Sequence, residues 1–201
     1  MDVMPDTAPL IVGKLKADEI GPPCLPSKRK RKWRIKSDFP GNELDTRRAE
    51  RCAKASEQNV ETFVSDEWTF EYDLVFHGLG KLVYRAASLA LADDRLNAGS
   101  TTQAAVLTAA DANYVAVEAA AATDQERLGS HVYALFEDRG ASKAIAAQYL
   151  AELLEKEIAD GTLDANQLRA LLSDGCSADT HQARIDPFSE RRDTHCDAGA
   201  G

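Results

Sequence analysis

The chain has 201 residues, 44% hydrophobic and 6% aromatic, enough for one domain with a real core or one domain with tails. Alanine supplies much of the apolar count, which favours closely packed helices over a sheet-rich fold. The net charge of −9 excludes attraction of nucleic acid to the whole surface. No apolar run nears the roughly 18 residues that a bilayer span requires.

Residues 1–9 lack the basic start and apolar block of a signal peptide, so the expectation is a soluble, cytoplasmic protein without a membrane partner. Residues 1–40 hold Pro5, Pro9, Pro22, Pro23, Pro26 and Pro40, and this stretch reads as irregular. Inside it, Lys28-Arg29-Lys30-Arg31-Lys32-Trp33-Arg34-Ile35-Lys36 is a basic block with one aromatic. It suits phosphate contacts with Trp33 stacking on a base, and it equally suits a solvated surface loop. Asn42 can cap a helix that runs without a breaker to Gln58, with Asp45 in its first turn. Residues 60–64 alternate apolar and polar and are rich in β-branched types, which predicts a strand.

Glu71 and Asp73 follow, with Trp68 and Phe70 beside them as expected core anchors. Carboxylates at the end of a buried strand can be aimed into a shared site and can hold Mg²⁺. The same carboxylates also suit a helix N-terminus, where the dipole favours them without any metal. Leu74, Val75, Leu79, Leu82, Val83, Ala86 and Ala87 then recur with a helical period. Gly78 and Gly80 do not make a phosphate loop, because Val75 and Leu82 stand where a Walker motif needs Gly and Ser or Thr. His77, close by, reads as a structural histidine.

Helices are predicted at 103–122 and 124–136, and a strong one at 143–158 after Gly140-Ala141-Ser142, ended by Gly161. Its inner face should carry Ile145, Tyr149 and Leu153, with Ile158 at the end and Leu150 and Leu154 widening the stripe. A short helix at 163–172 and a polar, disordered tail complete the reading. Cys24, Cys52, Cys176 and Cys196 form no C-x-x-C and read as free thiols, and the tail's His181 and His195 do not complete a zinc spacing.

Two segments resemble the C-terminal half of the overcoming-lysogenisation-defect (OLD) family of ATP-dependent endonucleases. One runs from Asn59 through Trp68-Thr69-Phe70-Glu71-Tyr72-Asp73-Leu74, and the other is Ser142-Lys143-Ala144-Ile145-Ala146-Ala147-Gln148-Tyr149-Leu150-Ala151. Members of that family join an ABC-type ATPase to a Toprim nuclease domain. The resemblance therefore implies an α/β fold, a partial Toprim (Rossmann-like) core with few strands and a large helical portion. It implies a start of the Toprim segment with a Pro-rich, basic insertion at 1–41, a partial Toprim domain with a helical insertion at 42–172, and a disordered tail at 173–201.

By the same resemblance, Asp2 and Glu71 would ligate Mg²⁺ or Mn²⁺, Asp73 would support them as a third metal-site carboxylate, and Glu71 and Lys143 would act in catalysis. Lys143 would face the scissile phosphate. Met1-Asp2 looks like the second half of an Asp-x-Asp strand end, which would put the first aspartate, an early glutamate and the ATP-binding ATPase upstream of Met1. The implied function is that of a C-terminal fragment of a metal-dependent DNA endonuclease, with DNA as partner in the complete protein, self-association open, and little or no activity in the isolated chain. The rival reading is a small, mostly helical interaction or nucleic-acid-binding protein without catalysis.

Overall fold

Thr69, Thr102, Asp124 and Ser142 each stand in extended backbone just before a helix and accept a hydrogen bond from an N–H of its first turn. A cap of this kind satisfies an otherwise orphaned donor and fixes where the helix begins. The computed structural model describes residues 3–6, 8–11, 34–55, 65, 67–164, 166 and 168. Its elements are β1 (Val3–Met4), α1 (Ala8–Ile11), β2 (Arg34–Ile35), α2 (Glu43–Ala55), α3 (Phe70–Leu74), α4 (Gly80–Asn97), α5 (Gln103–Ala121), α6 (Gln125–Glu137) and α7 (Lys143–Ala159).

Helix α4 is the central element and packs against α5, α6 and α7. Its buried residues, including Leu82, Val83, Ala86, Ala87, Leu89 and Ala92, are distributed around much of the helix. A helix apolar on most sides belongs in the interior of a bundle, and three neighbours cover it here. Alanine on α4 lets those neighbours approach closely. Tyr84 and Tyr114 meet edge to face at 5.6 Å between α4 and α5. Arg85 joins three helices, donating to Asp111 of α5 at 2.7 and 2.8 Å and to Glu157 of α7 at 2.9 Å.

Between α3 and α4 the chain passes through a wide turn, Val75–Leu79, in which the helical path is broken at His77 and Gly78. Gly78 has φ +101°, a conformation that a side chain would strain. The break separates the axis of α3 from that of α4.

The expected α/β, Toprim-like core is overturned. The one strand pairing among the described residues is β1 against β2, parallel and two residues long, and the fold is of the all-helical class. A parallel sheet needs helices over both faces. Here the apolar faces of α4 to α7 are used against one another instead. The predicted strand at 60–64 lies outside the described residues, as does most of the predicted helix at 163–172. Glu71 and Asp73, expected at a strand end, stand in the first turn of α3.

Other expectations divide. Helix α2 begins beside Asn42, whose carbonyl accepts from Thr46 N–H at 3.0 Å, and is described to Ala55 rather than to Gln58. Helices α5, α6 and α7 match the predicted spans to within one residue at each end. Gly161, with φ +70°, follows the last turn of α7. Of the predicted inner face of α7, Leu153 is buried and Ile145, Tyr149, Leu150 and Leu154 are half-buried, whereas Ile158 is exposed. Trp68 packs on Tyr133 with ring centroids 4.3 Å apart. Phe70 does not reach the core and is 62% exposed, because the Thr69 cap places it on the outer side of the first turn of α3.

The N-terminal segments attach to the bundle through α6. Met4 and Ile35 are fully buried, and α1 lies against α6. Buried Asp38 accepts from Ile35 N–H at 3.1 Å, and Asp6 accepts from Ser37 N–H at 2.9 Å. Lys36 forms ion pairs with Glu67 and with Glu126, the latter at 3.3 Å. Of the basic block, Lys36 is thus matched by carboxylates within the fold, while residues 28–33 lie outside the described residues.

Candidate functional site

Glu71 and Lys143 stand far apart in sequence and meet in space. Lys143 Nζ donates to Glu71 Oε2 at 3.0 Å and to the Tyr133 hydroxyl at 3.1 Å. The ammonium also lies 4.9 Å from the centroid of the Tyr133 ring, a cation–π arrangement. Three separate elements supply the cluster: α3 carries Glu71, α6 carries Tyr133 and α7 opens with Lys143.

Each position has a local cause. Thr69 caps α3, its Oγ1 accepting from Tyr72 N–H at 3.3 Å, and so orients the turn that bears Glu71. Ser142 caps α7, its Oγ accepting from Ile145 N–H at 3.4 Å, and places Lys143 at the first helical position. A lysine there opposes the helix dipole. The Glu71 carboxylate compensates that opposition. Tyr133, itself buried, shares a helix with buried Leu128, Val132 and Leu135, and its hydroxyl accepts from Lys143 and donates to Glu137 at 3.3 Å.

Electrostatics follow this arrangement. Burial works against the Lys143 charge, but the hydrogen bonds to Tyr133 and Glu71 outweigh it and hold the ammonium above the usual lysine range. Burial pushes the Tyr133 phenol up, and the neighbouring Lys143 pulls it partly back. Lys143 keeps 47% of its side chain exposed, so an anionic ligand can reach it from solvent.

Asp73 is brought near but turned elsewhere. Its carboxylate accepts from Trp68 N–H at 3.0 Å and from Glu67 N–H at 3.4 Å, closing the loop that leads into α3. Asp2 lies outside the described residues. Among the described residues no group of three or more His, Cys, Asp or Glu side chains could hold a metal ion. Mg²⁺ takes near-octahedral oxygen ligation. One carboxylate already paired with a lysine does not by itself fit a two-ion centre.

Tyr133 went unrecognised in the sequence. A tyrosine on the apolar stripe of α6 carries a hydroxyl that must find a polar partner, and that requirement was the available signal. His77, expected as a satisfied structural histidine, has a buried Nε2 without a hydrogen-bond partner among the described residues, its ring edge-on to Phe76 at 5.5 Å.

No helix among the described residues is long and apolar enough to cross a membrane. Comparison with protein-family models, curated proteins and solved structures yields no match for this chain.

Proposed function

We propose that the Glu71–Lys143 pair belongs to a site that binds nucleic-acid phosphates and takes part in phosphodiester hydrolysis, as in the endonucleases that the two sequence segments resemble. One observation carries this reading. The two residues singled out by that resemblance, on separate helices, lie 3.0 Å apart. The reading rests on the pair and requires no sheet. Lys143 supplies a point positive charge where negative charge builds on a phosphate, and the Tyr133 hydroxyl orients it.

The Glu71 carboxylate neutralises Lys143 while the two are paired. Replacing it by glutamine frees the ammonium. Binding of a labelled DNA fragment, measured by anisotropy in EDTA, should therefore tighten in Glu71→Gln and weaken about tenfold in Lys143→Met, a change of about 1.4 kcal/mol. Equal DNA binding by wild type and Lys143→Met, with both proteins folded by circular dichroism, would reject the proposal. The helix-on-helix architecture favours a second reading, an interaction protein without catalysis, and that same result would support it.

A further inference from the structure

Phe70 is the one exposed aromatic among the described residues; the other large exposed apolar side chains are Leu91, Val115 and Ile158. It stands at the first position of α3, immediately before Glu71. The rest of the aromatic cluster here faces inward: Trp68 lies on Tyr133 at 4.3 Å and on Tyr72 at 5.6 Å, and Tyr72 stacks with Phe76 at 6.2 Å. The site thus presents the Phe70 ring and the Lys143 ammonium to solvent, with the Glu71 carboxylate half-buried between them in sequence and space and a packed aromatic wall behind.

We infer that Phe70 is a stacking surface for an unpaired base, so that the site takes single-stranded or locally opened nucleic acid rather than intact duplex. This rests on the phosphate-binding role of Lys143 set out above and adds the form of the substrate. Phe70 adjoins Glu71 in α3, and Glu71 Oε2 lies 3.0 Å from Lys143 Nζ, so a strand of a few nucleotides with one phosphate at Lys143 can bring a neighbouring base to the Phe70 ring. Stacking requires a free π-face, which a base inside a duplex does not offer to a side chain. The Thr69 cap and the Asp73 contacts to Glu67 and Trp68 N–H fix the backbone around Phe70, so the ring is held out without ordering a loop on binding.

The test is binding of a short fluorescein-labelled single strand, and of the same sequence as duplex, to the full chain in Ca²⁺ buffer. The proteins compared are wild type, Phe70→Ala, Phe70→Leu, Phe70→Trp and Lys143→Met. Stacking predicts that Phe70→Ala loses about tenfold in single-strand affinity, in line with about 1–3 kcal/mol per stacked base. Phe70→Leu, which keeps apolar bulk without a π-face, should lose nearly as much, and Phe70→Trp should restore binding. Duplex affinity should be weak and indifferent to position 70. If Phe70→Ala binds single strand like wild type while Lys143→Met does not, the stacking role falls and the phosphate role stands. If wild type binds no better than Lys143→Met, both fall.

Discussion

The Tyr72 ring lies so close over Gly129 that a methyl group on that glycine would come 2.6 Å from ring Cε2 and 2.9 Å from Cδ2. The contact joins α3 to α6 and brings the segment bearing Glu71 down onto the helix bearing Tyr133. Tyr72 is fully buried, and its hydroxyl donates to the Glu126 carbonyl at 3.3 Å, so the ring has little room to retreat. Gly129→Ala should destabilise the protein by about 1–3 kcal/mol through overpacking. Urea denaturation checks this, and an unchanged midpoint would show that the ring shifts freely.

Thr123 carries φ +75° in the turn between α5 and α6, next to Ala122 at φ +50°. A β-branched residue there is strained by about 1–3 kcal/mol, and glycine would relieve the strain while adding unfolded-chain entropy. Thr123→Gly should raise stability by up to about 1 kcal/mol. Thermal melts of the two proteins decide it, and a lower midpoint would argue against strain at this turn.

Arg85 serves Asp111 and Glu157 together, and its removal leaves two carboxylates without their shared cation. Arg85→Met should cost about 2 kcal/mol near neutral pH, as expected for lost charge-assisted hydrogen bonds. The hydrogen bond from Arg85 holds the Asp111 carboxyl below the usual carboxylate range, against the opposing effect of burial. A carboxyl lowered in the folded state stabilises at any pH above its unfolded value and loses that contribution as pH falls through the folded one. The stability gap between wild type and Arg85→Met should therefore narrow as pH drops below about 4. Urea midpoints across an acid series measure the gap. A constant gap would mean that Asp111 is not the coupled group.

Tyr133 and Lys143 titrate as neighbours. Burial holds the Tyr133 phenol above its ordinary range while the Lys143 ammonium lowers it. Removing the ammonium in Lys143→Met should push the Tyr133 phenol higher still. The difference between the alkaline absorbance titrations of wild type and variant isolates this tyrosine from the others. Superimposable curves would show that the cation and the phenol are not in contact in solution.

The helices at α5, α6 and α7 were legible because local chemistry marks them. Thr102, Asp124 and Ser142 accept the first-turn N–H groups, and Gly161 closes the last element. Such signals act within a few residues and do not depend on what packs against the helix. The class of the fold was not legible in the same way. One alternating segment at 60–64 and a resemblance suggested a sheet, but a sheet is defined by its partners, and those contacts span the whole chain. Phe70 was misplaced for a related reason: its apolar character fixes a preference for burial, while the Thr69 cap decides which way the first turn faces. Glu71 and Lys143 were named through the resemblance, and nothing local reveals that α3 and α7 start side by side. Tyr133, on a third helix, completes the cluster and required the tertiary packing to be seen.

The Arg85 contact to Glu157 has a mechanical consequence for the other end of α7. Glu157 lies in the last turn of that helix and Lys143 in its first. At about 1.5 Å per residue, the two are separated by roughly 21 Å of stiff rod, so each degree of tilt about the Arg85 anchor carries Lys143 sideways by about 0.4 Å. Arg85, together with Tyr149 donating to Asp93 of α4 at 2.7 Å and Leu153 buried in the core, sets the tilt of α7 and hence the place of Lys143 at its far end. A substitution at Asp111 or Glu157, remote from the cluster, would be felt there as displacement of the ammonium relative to Glu71.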